Sequence, residues 1–512
     1  MPADKIQLLD KMFHPKSIAV VGASSSATET GWVKRLLDFG YKGKIYPINP
    51  KVKEIQALKA YANICDVPDP IDYAILNVPA RSTLQALRDC VAKGVKFVHC
   101  YSAGFGEDGN EEGKRLESEM TKMIIGSSTR LLGPNCMGIY CPESGMTFNE
   151  GFPNEKGRIA VVSQSGAEAS RLVLLCRDVN LSCSKVISYG NAADLDTPDF
   201  LEYLAQDKQT DIIALYVEGV KNGPTFMSVV RKCRAKKPVV IMGAGTTENG
   251  ARAALAHTAS VTWSQETWNA FFKQTGAIPA LTTDETADII QGLTRIRKMN
   301  GQRIAIIGRG GGIGVVATDI CERAGLKVPP FSKETQSKLR EIRPDAGAGL
   351  RNPVEPKLGM EGATEFYLRG LPIIDADTET DIILIHMALD IYGGNAPDLM
   401  QTMSESAYAL CAAVDSIKKP LAVAIFTGGR PETVLAAAAA RDILTKAGIA
   451  VFSGVESAAR AIAGIQNIKS PKVSKYEILN FFERTGSKSQ EIISPDGTST
   501  IRNCKYSRLN DG

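Results

Sequence analysis

Short apolar runs that end in small residues and lead into helical patterns recur along the 512-residue chain. Three of them share one form: SIAVVGASS from Ser17, RIAVVSQSG from Arg158 and RIAIIGRGGG from Arg303. A β-branched run followed by a tight turn and a helix is typical of the first βα unit of a doubly wound parallel sheet. The openings lie about 140 residues apart, close to the commonest domain size. The pattern therefore predicts three α/β domains.

Further strand-then-turn segments complete each predicted domain. The first spans residues 1–150, the second 151–298 and the third 299–468. They carry KIYPIN, DYAILNVP, VKFVHCYS and RLLGPN; then SCSKVISYGN, TDIIALYVEG and KPVVIMGAG; then TDIILIHMAL, KPLAVAIFTGG and GIAVFSG. From 469 to 512 the pattern fades into a polar C-terminal extension, for which docking on another subunit and disorder are the alternatives. The predicted fold class is α/β, with three doubly wound domains whose strand carboxyl ends build ligand crevices.

Composition and charge exclude several classes of function. The chain has 60 Lys and Arg against 56 Asp and Glu, without a long run of like charge, so nucleic acid is not an expected partner. Apolar runs such as 381–389 have about half the length of a membrane span, and the amphipathic N-terminus does not resemble a signal peptide. Eleven cysteines without a CxxC motif indicate reduced thiols and no metal site. We expect a cytoplasmic protein with no membrane partner.

Two turns at the predicted strand ends are candidate anion sites. The stretch VGASSSATETG, residues 21–31, lacks the spacing of a GxGxxG motif, but its small residues allow backbone N–H groups to approach a phosphate. It favours a nucleotide-bearing ligand other than NAD. The SQSG turn, residues 163–166, opens a predicted helix. Its hydroxyls and free amides fit an anion site, and an ordinary N-cap explains them equally well.

A histidine and a glutamate form the main catalytic candidate. His257 follows a run of alanines in ARAALAHTAS, and Glu218 stands at the end of the apolar strand in YVEG. A buried carboxylate is costly unless it is hydrogen-bonded. A histidine that donates one ring N–H to a carboxylate is more nucleophilic at the other nitrogen, so the two residues are a candidate pair.

Other polar residues have simpler interpretations. For the remaining histidines, His14, His99 and His386, packing with one satisfied hydrogen bond is the favoured role. Arg351 and Glu355 in LRNPVEP lie near a strand end of the third domain, where surface solvation is the favoured role.

Taken in order, the motifs resemble those of the nucleoside-diphosphate-forming acyl-CoA synthetases. This family includes ADP-forming acetyl-CoA synthetase and the α subunit of succinyl-CoA synthetase. The resemblance covers about residues 10 to 465. It rests on SIAVVGAS, GYKGKIYPINPK, NVPA, SAGFGE, LLGPNCMGIY, VVSQSGA, SYGNAADLDTPDFLEYLAQD, LYVEGVKNG, KKPVVIMGAG, GARAALAHTAS and GGGIGVVATD.

The resemblance implies a fold and a reaction. The fold is a Rossmann-like CoA-binding domain followed by two flavodoxin-like domains. The reaction is the reversible conversion of a carboxylate, CoA and ATP to acyl-CoA, ADP and phosphate, through an acyl phosphate and a phosphohistidine. His257 matches the family's phosphoryl acceptor, and Glu218 matches the glutamate that orients it.

The resemblance also assigns binding residues. Two helix N-termini would hold the phosphate, one at SQSG and the other at GAGTTENG; the phosphate-binding residues are Ser163, Gln164, Ser165, Gly166 and Gly245. The residues that would bind CoA are Gly22, Ala23, Ser24, Ser25, Ser26, Pro50, Lys51, Val78, Pro79, Ser102, Ala103, Asn135 and Cys136. For the thiol of Cys136, packing is favoured over a role as acyl carrier.

The sequence departs from the family pattern at two places. The family usually has Ser-His-Thr-Gly-Ser around the histidine, whereas this chain has Ala256 before it and Ala259 after Thr258. Glu168 stands where the family prefers a small or apolar residue. This carboxylate would bind a cation, recognise the substrate or weaken anion binding.

The resemblance implies a partner as well. The family phosphorylates its histidine with an ATP-grasp domain, and the three predicted domains leave no room for one. A separate ATP-grasp β subunit that binds ATP or ADP with Mg is therefore expected, in a hetero-oligomer such as α2β2. The alternatives are a CoA-dependent or carbamoyl-type transferase of the same architecture and a non-catalytic CoA-sensing scaffold subunit.

Overall fold

Each of the three predicted strand openings leads into a strand of a separate, mainly parallel sheet in the computed structural model of the chain. The structure describes residues 3–24, 31–258, 262–296, 301–344, 349–356, 360–391, 396–469, 492–493 and 499–500. No helix within these ranges is long and apolar enough to cross a membrane. The predicted C-terminal extension lies outside them, apart from two short strands.

The first sheet has five parallel strands in the order β2-β1-β5-β6-β7. Its central strands are buried along their length because they consist of apolar and β-branched residues. The elements are α1 Ala3–Phe13, β1 Ser17–Val21, α2 Trp32–Phe39, β2 Lys44–Ile48, β3 Glu54–Ile55, β4 Leu58–Lys59, β5 Tyr73–Leu76, α3 Ala80–Lys93, β6 Phe97–Cys100, α4 Glu111–Ile124 and β7 Arg130–Leu132, with 3-10 turns at Ile64–Asp66 and Gly106–Asp108.

The second sheet has six strands in the order β13-β12-β11-β9-β10-β8. Five are parallel, and β8 pairs antiparallel with β10 at one edge. The segment of β8 was predicted to belong to the first domain, so the second sheet begins before residue 150. The elements are β8 Gly138–Tyr140, β9 Ile159–Ser163, α5 Gly166–Asp178, β10 Cys183–Ser188, α6 Thr197–Leu204, β11 Ile212–Val217, α7 Gly223–Arg234, β12 Val239–Gly243, α8 Glu248–Thr258, α9 Gln265–Thr275, β13 Ile278–Ala280 and α10 Thr283–Arg295.

The third sheet has four parallel strands in the order β14-β15-β16-β17. The elements are β14 Ile304–Gly308, α11 Gly311–Arg323, α12 Lys333–Ile342, α13 Met360–Asp375, β15 Ile382–Ala388, a 3-10 turn at Leu389–Ile391, α14 Ala396–Val414, β16 Leu421–Phe426, α15 Pro431–Lys446, β17 Ala450–Phe452 and α16 Val455–Lys469, followed by the isolated pair β18 Ile492–Ile493 and β19 Ser499–Thr500.

Helix α10 joins the second domain to the third. It packs against α5 on one side and against α16 on the other. The buried side chain of Gln291 accepts the backbone N–H of Val451 in β17 at 3.1 Å. One apolar cluster contains side chains of both domains, such as Ile289 and Ile462. The second and third domains therefore share part of their core.

Candidate active site

The strand orders place two pairs of turns side by side. In the first sheet β1 lies between β2 and β5, and in the second β9 lies between β10 and β11. The direction of winding reverses at these points, and ligands of doubly wound proteins bind in the crevice that opens there. The first crevice has the turns after β1 and β5. The second brings the SQSG turn after β9 beside Glu218 after β11.

Gly22 shapes the first crevice. It has φ +82°, and a Cβ at this position would lie 2.2 Å from the carbonyl oxygen of Asn77. The turns after β1 and β5 are therefore in direct backbone contact. Only glycine permits this approach. The N–H groups of Gly22 and Ala23 both donate to the carbonyl of Ile48, at 3.0 and 3.3 Å, so these two backbone donors are already used within the turn.

The end of β2 closes the same crevice. The Asn49 side chain donates to the carbonyl of Ala23 at 2.9 Å and accepts the N–H of Lys51 at 2.8 Å. Pro50 and Lys51 are exposed beside it. Ser24 belongs to the described turn, whereas the predicted CoA ligands Ser25 and Ser26 lie outside the described residues. Asn49 was not among the predicted residues, although an Asn directly after a strand is a turn signal.

The turns after β5 and β6 form the adjoining wall. The Ser102 hydroxyl donates to the carbonyl of Val78, which ties the two turns together. Pro79 is the N-cap residue of α3 and is exposed, as is Ala103. The predicted CoA residues of the first domain thus meet at the carboxyl edge of one sheet.

Asn135 and Cys136 lie where the first and second domains touch. Asn135 has φ +55°, and its N–H donates to the carbonyl of Ser102 at 2.9 Å. A Cβ on Gly190 would lie 2.2 Å from the Asn135 carbonyl oxygen, so the turns of the two domains are in contact. The Cys136 thiol is buried against the carbonyl of Cys100 at 3.6 Å, and burial raises its pKa well above the usual value. This geometry favours packing, because the thiolate is the reactive form.

The SQSG turn caps α5. The buried hydroxyl of Ser163 donates to the carbonyl of Ser165 and accepts its N–H at 3.1 Å. The Ser165 hydroxyl accepts the N–H of Glu168 at 3.3 Å as N-cap. Ser163 therefore builds the turn from inside and is not placed to touch a phosphate, contrary to the prediction. The N–H groups of Gly166 and its neighbour head the helix, where the first turn offers donors to an anion.

Gln164 also has a different role from the predicted one. Its buried side-chain oxygen accepts the backbone N–H groups of Glu218 and Gly219 at 2.5 and 3.0 Å. The backbone N–H of Gln164 donates to the carbonyl of Tyr216 at 3.3 Å. Through this oxygen Gln164 fixes the main chain around Glu218, a role that was not predicted. Glu218 itself is 4% exposed, as expected for a buried strand-end carboxylate.

Glu168 has a structural partner. Its carboxylate accepts the hydroxyl of Thr283, the first residue of α10. Arg171 and Asp284, from the same two helices, form an ion pair at 2.5 Å. None of the three predicted roles for Glu168 included this one, in which the carboxylate ties the start of α5 to α10.

His257 lies in the last turn of α8, as the alanine-rich pattern indicated. Its side chain, and residues 259–261, are outside the described part of the chain. The helix begins at Glu248, about 14 Å from the His257 backbone at 1.5 Å per residue. The Thr247 hydroxyl accepts the N–H of Gly250 at 3.1 Å at that end. The GAGTTENG turn is therefore too distant to serve as the second phosphate-holding helix start that was predicted.

Gly245 packs closely against α8 and against the residue Thr262 that follows it. It has φ +69°, and a Cβ there would lie 2.5 Å from the Thr262 side chain and 3.3 Å from that of Ala254. Close packing explains this glycine, so its predicted contact with phosphate is not supported by the geometry.

A polar cluster that was not predicted lies beside α8. The helix contacts the turn Gly106–Asp108 of the first domain. Glu107 accepts the N–H groups of Gly104 and Phe105, and the Asn191 amide donates to Glu107 and Glu117 at 2.5 and 2.8 Å. The cluster links the turns of both domains under the helix that carries His257. Apart from Glu117 in α4, its residues belong to the motifs SAGFGE and SYGNAADLDTPDFLEYLAQD, which only the fold brings together.

The other histidines have separate environments. His99 is buried and its Nε2 is 3.0 Å from the Cys136 carbonyl oxygen, as expected. His386 is buried against Phe426, yet neither ring nitrogen has a hydrogen-bond partner among the described residues, so one predicted bond is missing. His14 contacts the Glu143 carboxylate at 3.1 Å and the Asp10 carbonyl oxygen; hydrogen bonding to Cys141 and the nearby carboxylates outweighs burial and raises its pKa to about 9.

A third helix start resembles that of α5. The glycines after β14 open α11, and the Glu355 carboxylate accepts the N–H of Gly310 at 2.8 Å. Surface solvation was the predicted role of Glu355, and the structure instead shows it fixing this turn. Arg351 is exposed, as predicted.

Comparison with known proteins decides the family. Residues 16–142 match the model of a CoA binding domain, and residues 156–293 match that of a succinyl-CoA ligase like flavodoxin domain. The chain is 36% identical over 468 residues to the α subunit of ADP-forming acetate–CoA ligase II of Pyrococcus furiosus, covering 90% of this chain and 98% of that one. The chain belongs to the ADP-forming acyl-CoA synthetase family.

Two further members of the synthetase family give the scale of the similarity. ADP-forming acetate–CoA ligase I of Archaeoglobus fulgidus is 40% identical over 380 residues, which are 73% of this chain and 54% of that protein. The structure of a dinucleotide-forming acetyl-coenzyme A synthetase from Candidatus Korarchaeum cryptofilum, in complex with phosphate and ADP, superposes with a TM-score of 0.77 at 29% identity. The superposition covers 94% of this chain and 99% of the chain from Candidatus Korarchaeum cryptofilum.

Proposed function

We propose that the chain is the α subunit of an ADP-forming acyl-CoA synthetase for a small carboxylate, with His257 as phosphoryl carrier. The observation that carries the proposal is the second crevice. There Glu218, held by Gln164, lies beside the free amides at the start of α5. A carboxyl group that can orient an imidazole and a helix start that can hold a phosphate thus occur at one sheet edge.

The proposed reaction has three transfers. A ring nitrogen of His257 attacks the γ-phosphorus of ATP, the bond to the bridging oxygen breaks, and ADP leaves. An oxygen of the substrate carboxylate then attacks that phosphorus, and the N–P bond breaks to give an acyl phosphate and free histidine. Finally the sulfur of CoA attacks the acyl carbon, and inorganic phosphate leaves as the thiol loses its proton. In the first step Glu218 accepts the N–H of the other ring nitrogen and so stabilises the charge that develops on the ring.

The first crevice is the proposed CoA site. Gly22 allows the turns after β1 and β5 to meet, and Asn135 at the domain junction lies between this crevice and the second. CoA bound along the first crevice would present its sulfur to an acyl phosphate at the junction. Pro50, Lys51, Val78, Pro79, Ser102 and Ala103 would line the groove.

A separate ATP-grasp subunit is proposed to bind ATP or ADP together with Mg. Three large sheets and the two-stranded sheet β3-β4 account for the strands in the described residues from Ser17 to Phe452. The matched relatives include both a protein named as an α subunit, of similar length, and a single-chain ligase of which this chain spans about half. We propose an α2β2 assembly in which the β subunit phosphorylates His257.

Radiolabelling tests the proposal. The chain is mixed with the ATP-grasp protein of the same organism and γ-32P-labelled ATP, and the label is examined for acid lability and base stability. We expect label on this chain, none on His257→Asn, and discharge of the label by acetate and CoA. A wild-type chain that remains unlabelled, or a His257→Asn variant labelled equally, contradicts the proposal. Acyl transfer that proceeds without nucleotide would favour the transferase alternative.

A further inference from the structure

Asn191 is bonded to several segments that meet at the junction of the first and second domains. The residue is 8% exposed, and its side-chain amide donates to the carboxylates of Glu107 and Glu117 at 2.5 and 2.8 Å. Its backbone N–H donates to the carbonyl of Pro134 at 3.1 Å, and its own carbonyl accepts from the Lys221 ammonium at 3.2 Å. Asn191 follows β10 of the second domain, whereas both glutamates belong to the first. One side chain therefore ties the two domains together.

The two glutamates fix the turn that follows β6. Glu107 accepts the N–H groups of Gly104 and Phe105 at 2.7 and 3.2 Å, and Glu117 accepts that of Gly106 at 3.1 Å. Among the described residues, all hydrogen-bond donors to these two carboxylates are uncharged. The turn is thus held by two carboxylates that share one side-chain amide.

The turn fixed in this way borders both crevices of the candidate site. It begins with Ser102 and Ala103 in the wall of the first crevice, and the Ser102 carbonyl accepts the N–H of Asn135 at 2.9 Å. Its other end, Gly106–Asp108, contacts α8, whose last turn contains His257. A change in this turn therefore reaches the proposed CoA wall and the support of the histidine helix together.

Removal of the shared amide has a defined electrostatic effect. Two carboxylates that meet at one nitrogen repel each other, and the amide offsets this repulsion because it can donate one hydrogen to each. Without that donor the carboxylates move apart, and the backbone groups bonded to them move as well. The main chain at Glu218 is held by Gln164, so it does not depend on the Asn191 side chain.

We propose that Asn191 is a positioning residue for the discharge of the phosphohistidine, because it holds the turn between the CoA crevice and α8. This inference rests on the proposed function. In the proposed reaction, the loading of His257 with phosphate from ATP does not use the CoA wall. Discharge, in which the phosphate passes to the carboxylate and the acyl group then passes to CoA, takes place between the two crevices. Loss of the Asn191 amide therefore slows discharge and spares loading.

The experiment measures loading and discharge separately. Loading is followed by rapid-quench labelling with γ-32P-labelled ATP in the presence of the ATP-grasp partner. Discharge is followed on the labelled complex, freed of nucleotide, as the release of labelled phosphate after addition of saturating acetate and CoA. Asn191→Asp is the main variant, since it keeps the shape of the side chain but replaces the amide with a third carboxylate. Thermal unfolding confirms that each variant is folded.

Glu107→Gln tests the same contact from the other side and serves if Asn191→Asp does not fold. It keeps one oxygen as acceptor for the turn and replaces the other with a donor that faces the Asn191 amide. Asn63→Asp is the matched control. The Asn63 amide also donates to a carboxylate, that of Asp89 at 2.7 Å, but both residues belong to the first domain, and an aspartate keeps the acceptor for the N–H of Cys65.

We expect Asn191→Asp and Glu107→Gln each to slow discharge about tenfold or more and to leave loading within about twofold of wild type. Asn63→Asp should leave both rates unchanged. The double variant Asn191→Asp with Glu107→Gln should discharge faster than Asn191→Asp alone, because the amide introduced at position 107 donates to the carboxylate introduced at position 191.

Three results overturn the inference while the proposed function stands: wild-type discharge by the folded variants, loading slowed as much as discharge, or a double variant that discharges no faster than Asn191→Asp. A wild-type chain that is not loaded, or that is loaded and not discharged, contradicts the proposed function, and the inference fails with it.

Discussion

Gln164 is bonded to the backbone of Glu218: its side-chain oxygen accepts the glutamate N–H at 2.5 Å and the next N–H, of Gly219, at 3.0 Å. The glutamine side chain is buried, so both donors depend on it. The turn that opens α5 and the strand end that bears the carboxylate thus form one rigid unit.

This contact predicts the effect of Gln164→Leu. The substitution leaves the buried N–H of Glu218 and the half-buried N–H of Gly219 without an acceptor, which costs about 1–3 kcal/mol for the buried one and displaces Glu218. We expect histidine phosphorylation to slow by about tenfold or more, measured by labelling with γ-32P-labelled ATP, and the melting temperature to fall. Gln206→Leu is the control, because the exposed Gln206 bonds only within its own helix region. Normal phosphorylation of a folded Gln164→Leu chain would contradict the positioning role.

The backbone contact at Gly22 predicts a selective loss of CoA binding. In Gly22→Ala the new Cβ meets the Asn77 carbonyl at 2.2 Å, so the crevice must open. Gly40→Ala is matched to it, since Gly40 has φ +91° in the same domain but nothing within 4 Å of a Cβ. Both variants lose about 1–2 kcal/mol from the left-handed backbone. Calorimetric titration with CoA should show at least a tenfold weaker Kd (~1.4 kcal/mol or more) for Gly22→Ala alone. Equal affinities would remove this turn from the CoA site.

Cys136 is expected to be dispensable for chemistry. Its buried thiol packs on Cys100, and burial raises its pKa, so Cys136→Ala should cost about 1–2 kcal/mol of stability and leave turnover within about threefold. Cys183→Ala, at a buried cysteine of the second sheet, provides the comparison for stability. Acid quenching during turnover followed by mass spectrometry should find no acyl group on Cys136. An acyl adduct there, with loss of activity in the alanine variant, would restore the carrier role.

Asp288 predicts a pH dependence of the interface between the second and third domains. Burial raises its pKa to about 6, despite bonds to Gln291 and Ser457 and the nearby charge of Arg441. The folded protein therefore binds a proton that the unfolded chain, with its ordinary value near 4, does not. Stability attributable to this group is greatest at low pH and is lost as the pH rises from about 4 to 6.

Asp288→Asn removes this dependence. The difference in free energy of unfolding between variant and wild type should grow in favour of the variant from pH 4 to pH 7, toward about 2–3 kcal/mol, measured by denaturant unfolding at each pH. Asp284→Asn, on the exposed face of the same helix, should show no such trend. A constant difference for Asp288→Asn across this range would show that its carboxyl titrates normally.

Periodicity and turn residues were sufficient to predict most of the fold. The three strand openings at Ser17, Arg158 and Arg303 each lead into a parallel strand of a separate sheet, because a β-branched run before a small-residue turn has few alternatives. The short strands β8 and β13 were missed. Each has only three residues, too few for a period to be detected, and its pairing depends on a neighbour far along the chain.

The sequence predicted which segments form the candidate site better than it predicted what each residue does there. The SQSG turn, Glu218 and the helix end at His257 are where the motifs placed them. The structural roles of Ser163, Gln164 and Gly245 were not predicted. A polar residue or a glycine near a ligand crevice can either face the ligand or build the wall behind it. Burial and hydrogen bonding, which assign these three to the wall, depend on residues as far apart as Gln164 and Glu218.

The sequence by itself determined the local elements, the order of the domains and the family, because these depend on patterns within a few residues of each other and on motifs read in order. Only the tertiary structure decided which side chains cooperate. Gln164 with Glu218, Thr283 with Glu168, and Asn191 with Glu107 are paired through strand order and domain contact. A buried polar group must find its partner in space, and spacing along the chain does not specify which one the fold supplies.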